Sequence, residues 1–401
     1  MGQAFSWVKT ANPDPDLEEN SNNANINQHS SIIYDIEFGI NAPVELGQDP
    51  EHRKHWYANF FETAYVAPHR DGKSVVVFIP EHERDLYYED EAQAIVRITE
   101  VYERLCLNRT GHPRIVNNVP AFCLERLTPG PLVKLTLPPL TLPVVTPSAK
   151  DKLILALYYR WALQALSALH YIHTRSVYPT DFGRNSIWVR ADMSIAVAGF
   201  TSAAIPTPVP EYDEHGETGN YEYVLETSKT PWRSESLELH APQHGYNEYS
   251  AAYDLFDWAT FMWRLMTNDY STRPLPGPRR YDTSPLFPMD QADWPDFSND
   301  TCPRKYEEKR RAEGAWQVLE EQRLGYILVK AWNGQYENAK EALDDVKKAA
   351  EKMGLLVIGE DEIEPENDLR WEEVFEVVRT GDGEYDQELR LVANAQEKIT
   401  V

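Results

Sequence analysis

The residues of this sequence that can do chemistry concentrate in one stretch, YPTDFGRNSIWVRADMSIAVAGF, which runs from position 178 to 200. Asp181 carries a carboxylate that can serve as a general base toward a hydroxyl group. Asn185 and Asp192 offer amide and carboxylate oxygens, and oxygen ligands are what Mg²⁺ takes in phosphate-handling sites. A base beside Mg²⁺ ligands is the equipment of phosphoryl transfer, so this stretch raises the question of whether the chain performs that reaction.

Helices and a β-rich segment flank this stretch and must position it. Apolar residues at i, i+4 spacing predict a helix over 153–172 before it and a second one over 251–267 after it. Further helices are predicted at 322–332 and 339–353. Nearer the N-terminus, short β-type runs between 31 and 79 and at 114–127, with one helix at 89–105, predict an antiparallel sheet.

Composition shifts divide the chain into five parts. Residues 1–30 are polar and acidic and predict a disordered leader. The Pro-rich segment 128–150 cannot hold a long helix, so we expect an exposed connector between a β-rich part, 31–127, and a helical part, 151–354. Residues 355–401 predict an acidic tail with one helix near 371–378, and the acidic, tyrosine-rich residues 201–239 predict a mobile, solvated loop.

The charge balance favours protein partners over nucleic acid. The chain has 64 Asp and Glu against 39 Lys and Arg, a formal net charge of −25. Such a surface repels nucleic acid phosphates and anionic lipids, so the expected partners are proteins, basic ones in particular. The three cysteines fit no zinc pattern or disulfide framework, and no cluster of carboxylates and histidines predicts a metal site. His170 and His173, near the end of an apolar helix, are expected to be packed histidines.

The order of these elements and several short motifs resemble the protein kinases. LHYIHTRSVYPTDFGRNSIWV resembles the helix and catalytic loop written H-R-D-L-x-x-x-x-N, which places Asp181 at the catalytic aspartate. AGFT at 198–201 stands where A-D-F-G is expected, HAPQ at 240–243 resembles A-P-E, and Asp254 falls on the aspartate that supports the catalytic loop. The stretch ILVKAWNGQYENAKEALDDV, 327–346, resembles the late helices of kinase-like proteins of filamentous fungi. The resemblance implies an α+β, bilobal protein kinase-like fold, with a small lobe of antiparallel sheet plus one helix and a larger, mainly helical lobe.

Most positions that the resemblance assigns to catalysis carry other residues here. A protein kinase needs a strand lysine paired with a helix glutamate, Mg²⁺ ligands from an Asn and the D-F-G Asp, and a catalytic aspartate. Of these the catalytic aspartate is retained, as Asp181. The helix glutamate falls on Ile98, with Glu91 and Glu100 as the alternatives if the register shifts, and a Gly-rich nucleotide loop is missing. The replacements are, in chain order, Phe78 or alternatively Ile79 for the strand lysine, Ile98 for the helix glutamate, Pro179 and Thr180 for the His and Arg of H-R-D, Ser186 for the metal-binding Asn, Gly199 for the D-F-G Asp and Gln243 for the Glu of A-P-E.

Two functions fit this pattern. The favoured one is a catalytically impaired protein kinase-like protein, a pseudokinase, that acts as a binding scaffold or regulator, because losing one preorganised electrostatic partner alone costs about 3 kcal/mol of transition-state stabilisation. No cofactor is expected, although ATP bound without Mg²⁺ is compatible with this function, and Asp181 then serves as a structural acceptor or a solvated residue. The alternative is an active atypical protein kinase or small-molecule phosphotransferase that uses Asn185 or Asp192 for the metal and Asp181 as the base.

Two candidate modification sites lie outside this stretch. The start MGQAFS fits the N-myristoylation pattern, which makes Gly2 a candidate acceptor. Thr230 precedes Pro231 in the acidic segment and is a candidate phosphorylation site. We expect a cytoplasmic protein that reaches a membrane only if Gly2 carries a lipid. A single acyl chain would anchor it only marginally without a second attraction.

Overall fold

A computed structural model gives the structure of this chain. It describes residues 57–58, 65–68, 74–78, 98, 100–105, 114–116, 119–141, 144, 147–180, 182–184, 186–198, 200, 203–212, 218–226, 250–268, 318–365, 369–381 and 385–393. These residues form a mixed α+β structure in which several helices accompany small, mostly antiparallel sheets.

A five-stranded antiparallel sheet forms from the β-rich part, in the spatial order β1-β2-β3-β5-β4. Its strands are β1 Tyr57–Ala58, β2 Tyr65–Pro68, β3 Ser74–Phe78, β4 Arg114–Val116 and β5 Val119–Glu125. Residues 98 and 100–105, called the small helix below, are helical between β3 and β4 in sequence. The predicted sheet and helix are therefore confirmed where the chain is described, whereas the predicted first run at 31–38 lies outside the described residues.

Four helices form the apolar centre of the helical part: α1 Ala149–His173, α2 Ala251–Met266, α3 Gly325–Trp332 and α4 Ala339–Lys352. Ser148 caps the N-terminus of helix α1, since its side chain accepts a hydrogen bond from the Asp151 backbone N–H, and the helix packs against α2 and α4. Its residues are buried almost all round, including Tyr158, Trp161 and Leu163. A helix that is apolar on every side belongs in the centre of a domain, and α1 occupies that place.

The Pro-rich segment differs from the expected exposed connector. It contains the strands β6 Gly130–Pro131 and β7 Leu135–Thr136, with a 3-10 turn at Leu132–Lys134 between them. Its apolar residues lie in the core: Leu132, Leu135, Leu137, Leu140 and Val144. The predicted exposure is wrong because leucines alternate with the prolines, and proline bars long helices without barring burial of short extended pieces.

The acidic segment 201–239 is not the loop that was expected. Two long strands, β10 Ile205–Tyr212 and β11 Thr218–Glu226, pair as an antiparallel hairpin. The acidic residues favour a solvated loop, but the β-type residues between them, such as those in YEYVLE, favour a strand and decide the structure. Residues 227–249, which include Thr230 and Gln243, lie outside the described residues.

The predicted acidic tail is folded into the core. It contains β12 Leu356–Ile358, β13 Glu362–Glu364, the four-residue helix α5 Trp371–Val374, β14 Phe375–Arg379 and β15 Gln387–Leu391. Strand β15 pairs in parallel with β7, so the chain after residue 355 returns to the Pro-rich segment. A helix near 371–378 is right only for its first turn. The remaining strands, β8 Ile187–Val189 and β9 Ile195–Val197, form a three-stranded sheet with β6.

Candidate functional site

The candidate site is the loop between α1 and β8. After α1 ends at His173, the chain turns, and Tyr178 exchanges two backbone hydrogen bonds with Ala204, at 3.0 and 2.8 Å. Pro179 is buried, and Thr180 adopts a left-handed backbone with φ 59°. A β-branched residue adopts this conformation only where surrounding contacts hold it, so Thr180 requires such contacts.

Asp254 supplies a contact that holds Thr180. It lies in the first turn of α2, where Ser250 caps the helix, and its side chain is fully buried. Its Oδ1 accepts a hydrogen bond from the Thr180 backbone N–H at 2.8 Å, and its Oδ2 lies 2.8 Å from His173 Nε2. The loop, the end of α1 and the start of α2 are thereby joined through one carboxyl group.

Burial and the two partners act in opposite directions on Asp254. Loss of water raises the pKa of this carboxyl above its usual value, while the hydrogen bonds from His173 and Thr180 partly offset the rise. The His173 ring also stacks on Tyr178, with ring centroids 5.4 Å apart. The prediction of a packed histidine did not identify Asp254 as its partner, because the two residues are 81 positions apart.

Ser186 closes the other end of the loop on itself. Its Oγ accepts a hydrogen bond from the Gly183 backbone N–H and donates one to the Gly183 carbonyl, both at 2.9 Å. The side chain is buried, and the Ser186 carbonyl accepts the Ala198 N–H at 2.7 Å. The hydroxyl is therefore engaged within a turn of its own loop, which is a familiar use of serine.

The small helix meets the residues that follow β9. Phe200 is buried, and its ring lies edge-on to Tyr102 with centroids 5.4 Å apart. Tyr171 on α1 donates a hydrogen bond to the Leu105 carbonyl at 2.6 Å. Ile98, on the same helix, is buried among apolar residues. The structure thus brings the small helix, α1 and Phe200 together.

Asp192 is occupied by its own turn. Its Oδ1 accepts hydrogen bonds from the Ser194 hydroxyl at 2.6 Å and from the Ser194 N–H at 3.0 Å, between β8 and β9. Burial raises the pKa of this carboxyl, and the bonds from Ser194, with the charges of Arg160 and Arg190, more than offset that rise, so the pKa lies below its usual value. The ionised carboxylate therefore serves as a hydrogen-bond acceptor within its own turn.

Several predicted site residues cannot be placed. Asp181, Asn185 and Gly199 lie outside the described residues, as does the candidate acceptor Gly2. Phe78 is the last residue of β3, where its backbone pairs with Tyr65 and Ala121. Of the predicted site, the structure therefore brings together Thr180, Asp254 and His173.

One buried ion pair was missed from the sequence. Arg323 and Glu320 are both buried, with Arg323 donating two hydrogen bonds of 2.6 Å to the Glu320 carboxylate and one to the Met266 carbonyl. Glu320 also accepts the Val144 N–H. Only the i, i+3 spacing of opposite charges signals this pair, and that spacing is common on exposed surfaces.

The described residues contain neither a metal-binding cluster nor a membrane-spanning helix. Within the described part of the chain, no group of three or more His, Cys, Asp or Glu residues could hold a metal ion, and no helix is long and apolar enough to cross a membrane. No protein-family model and no curated protein matches this sequence.

Proposed function

We propose that this chain is a degenerate member of the protein kinase-like superfamily that binds other proteins, as a scaffold or regulator, and does not transfer phosphate. The proposed fold is the bilobal one, with the five-stranded sheet and small helix as one lobe and α1 to α4 as the core of the other. The observation that carries the proposal concerns the loop between α1 and β8. The contact that supports this loop is present, whereas the residue at its metal-ligand position forms a hydrogen-bonded turn.

The supporting contact is the one between Asp254 and the Thr180 N–H. Asp254 stands at the position that the resemblance assigns to support of the catalytic loop, and here it is buried at the start of α2 and bonds to that loop. The residue it holds immediately precedes Asp181. This contact stabilises the fold whether or not the loop performs chemistry.

Ser186 stands where the resemblance expects an asparagine that binds Mg²⁺. Its hydroxyl both donates to and accepts from Gly183, and it is buried. A Mg²⁺ ion, which requires oxygen ligands at about 2.0–2.1 Å in near-octahedral geometry, would compete with the Gly183 N–H for the lone pairs of this hydroxyl oxygen. Ser186 therefore supports loss of the metal site.

The small helix supports the same conclusion. Ile98, at the position of the glutamate that would pair the strand lysine, is buried in the apolar core. Phe200 packs on Tyr102 of that helix, as the Phe of D-F-G is expected to pack in a kinase-like frame. The hydrophobic contact is present, while β3 contains no lysine that could form the ion pair, which favours a scaffold with the shape of a kinase.

A nucleotide thermal-shift measurement tests this proposal. The melting temperature is measured with ATP, with Mg²⁺, and with both together, and we expect no stabilisation that depends on their combination. A ligand present at 100 times its Kd adds about 2.7 kcal/mol to the stability of the folded state, which is readily detected.

An upward shift seen only with Mg²⁺ and ATP together would contradict the pseudokinase proposal. It would favour the alternative, an atypical kinase or phosphotransferase, and Asp192→Asn and Asn185→Ala would then separate its two candidate metal ligands. Asp192 is bonded to Ser194 in its turn, so we expect Asp192→Asn to leave the melting temperature with Mg²⁺ and ATP unchanged.

A further inference from the structure

The hairpin of β10 and β11 has two unequal edges. Strand β10 reads IPTPVPEY, with prolines at 206, 208 and 210, every second residue. In an antiparallel pair, alternate residues exchange both backbone hydrogen bonds with the partner strand, while the residues between them point their N–H and C=O groups outward. Proline has no N–H, so the direction in which these prolines point decides what each edge offers.

Two contacts fix that direction. Ala204, just before β10, exchanges both of its backbone bonds with Tyr178, away from β11. Two residues later, the Pro206 carbonyl accepts a hydrogen bond from Arg104 Nη2 at 3.0 Å, again away from β11. The backbone N–H and C=O groups of even-numbered residues in β10 thus point away from β11, except that the prolines have no N–H, and those of odd-numbered residues bond to β11.

The register then assigns the edges of the whole hairpin. Thr207 pairs with Val224 and Val209 pairs with Glu222, so these residues carry the bonds within the hairpin. The three prolines leave the outer edge of β10 without N–H donors at 206, 208 and 210, a known way to block strand pairing. The outer edge of β11 instead presents complete N–H and C=O pairs at Tyr221, Tyr223 and Leu225.

The segment that contains the hairpin has a strongly acidic sequence. Residues 205–226 contain six Asp or Glu and no Lys or Arg. Within the described strands, β11 pairs with β10 alone. An edge strand that points its N–H and C=O groups away from its one described partner strand, in a segment of one charge sign, is suited to an extended partner of the opposite sign.

We propose that the outer edge of β11 binds an extended, lysine- or arginine-rich segment of a partner protein by β-strand addition. Tyr221, Tyr223 and Leu225 supply the backbone hydrogen bonds, and the acidic residues of the hairpin select a basic strand. This inference rests on the proposed binding function and gives it a partner chemistry and a mode of recognition.

Synthetic peptides added to the full-length chain test the proposal. The probe is an eight-residue peptide of alternating lysine and threonine. One control carries pairs of lysines alternating with pairs of prolines, which keeps the charge but leaves each edge of the extended peptide with only half of its N–H donors. The other control is alternating glutamate and threonine. We expect binding of the first peptide alone, together with slowed amide exchange at 221, 223 and 225.

Two variants of one residue separate strand addition from general attraction. Tyr223→Pro removes an outward N–H and keeps the bonds within the hairpin, since proline is tolerated where the N–H of an edge strand faces outward. We expect it to weaken binding at least about fivefold, the cost of one lost hydrogen bond. Tyr223→Thr also removes the tyrosine side chain but keeps the N–H, and we expect binding within about twofold of the original.

Three outcomes would overturn this inference. Equal binding of the lysine–threonine and lysine–proline peptides would mean that charge alone acts. Loss of binding in Tyr223→Thr to the same degree as in Tyr223→Pro would mean that the side chain acts. Slow exchange at 221, 223 and 225 without peptide would mean that another segment or a second copy covers the edge. None of these outcomes bears on the nucleotide test, so the pseudokinase proposal stands or fails separately.

Discussion

At the scale of single residues, Asp254 shows how a buried carboxyl group can be justified. Moving a carboxylate out of water is costly unless hydrogen bonds replace the lost hydration. Asp254 has such partners on two other elements, the Thr180 N–H and His173 Nε2. Replacing the carboxylate therefore removes an acceptor from each element and leaves their polar groups buried.

We expect Asp254→Ala to lower the free energy of unfolding by about 1–3 kcal/mol for each donor left without an acceptor. Urea unfolding of the full chain measures the change. Asp344→Ala is the control, because Asp344 on α4 is half-exposed and forms an ion pair with Lys340 at the surface, so its loss should cost at most about 0.5 kcal/mol. Equal effects of the two substitutions would contradict the structural role given to Asp254.

The site was only partly predictable from residue types. Motif order located the loop and its partner Asp254, because the spacing of an apolar helix, an Asp-bearing turn and a short strand is a local pattern. The contacts of Ser186 with Gly183 and of His173 with Asp254 depend on how the backbone turns and on distant helices. Sequence spacing carries no information on either.

At the scale of elements, the spacing of apolar residues predicted each of the four helices α1 to α4. The ends of α2 and α4 lie within one residue of those predicted from apolar spacing, and the structure adds the caps Ser250 and Asn338, which accept backbone N–H groups of the first turns. The strands of the C-terminal part were missed because their partners are remote. Strand β15 pairs with β7, more than 200 residues earlier, and short polar strands have no strong pattern of their own.

The junction of these elements is tight at Gly130. Its backbone has φ 105°, and a Cβ placed there would come within 2.7 Å of the Tyr385 ring. That ring also packs edge-on against Trp188 of β8, with centroids 5.8 Å apart. Glycine at 130 therefore lets the C-terminal part approach the Pro-rich segment closely.

We expect Gly130→Ala to cost about 1–3 kcal/mol for overpacking in addition to about 1–2 kcal/mol for its backbone conformation. Gly359→Ala is the matched control, because Gly359 also has positive φ, 62°, but nothing lies within 4 Å of its Cβ position. It should show the backbone cost alone. If thermal unfolding gives both variants the same loss, the close contact with Tyr385 does not constrain the fold.

At the scale of the whole molecule, the C-terminal part completes the helical core. Arg160 of α1 pairs with Glu362, and its guanidinium lies 5.4 Å from the centroid of the Trp371 ring. The Trp371 indole N–H donates to the Ile363 carbonyl at 2.9 Å, and the side chain is 4% exposed. A segment with an acidic, tail-like composition is in this way fixed to the central helix.

This arrangement predicts that Trp371→Ala destabilises the entire helical part. Removing a buried Trp side chain typically costs about 3–5 kcal/mol, and here it also removes the surface on which Arg160 packs. Leu356→Ala is the control, since Leu356 belongs to the same part of the chain but is 61% exposed, and its loss should cost at most about 0.5 kcal/mol. Urea unfolding followed by circular dichroism at 222 nm reports helix loss, so a lower midpoint in Trp371→Ala alone would place this segment in the cooperative core. An unchanged midpoint would mean that residues after 355 are dispensable to α1, as an independent tail would be.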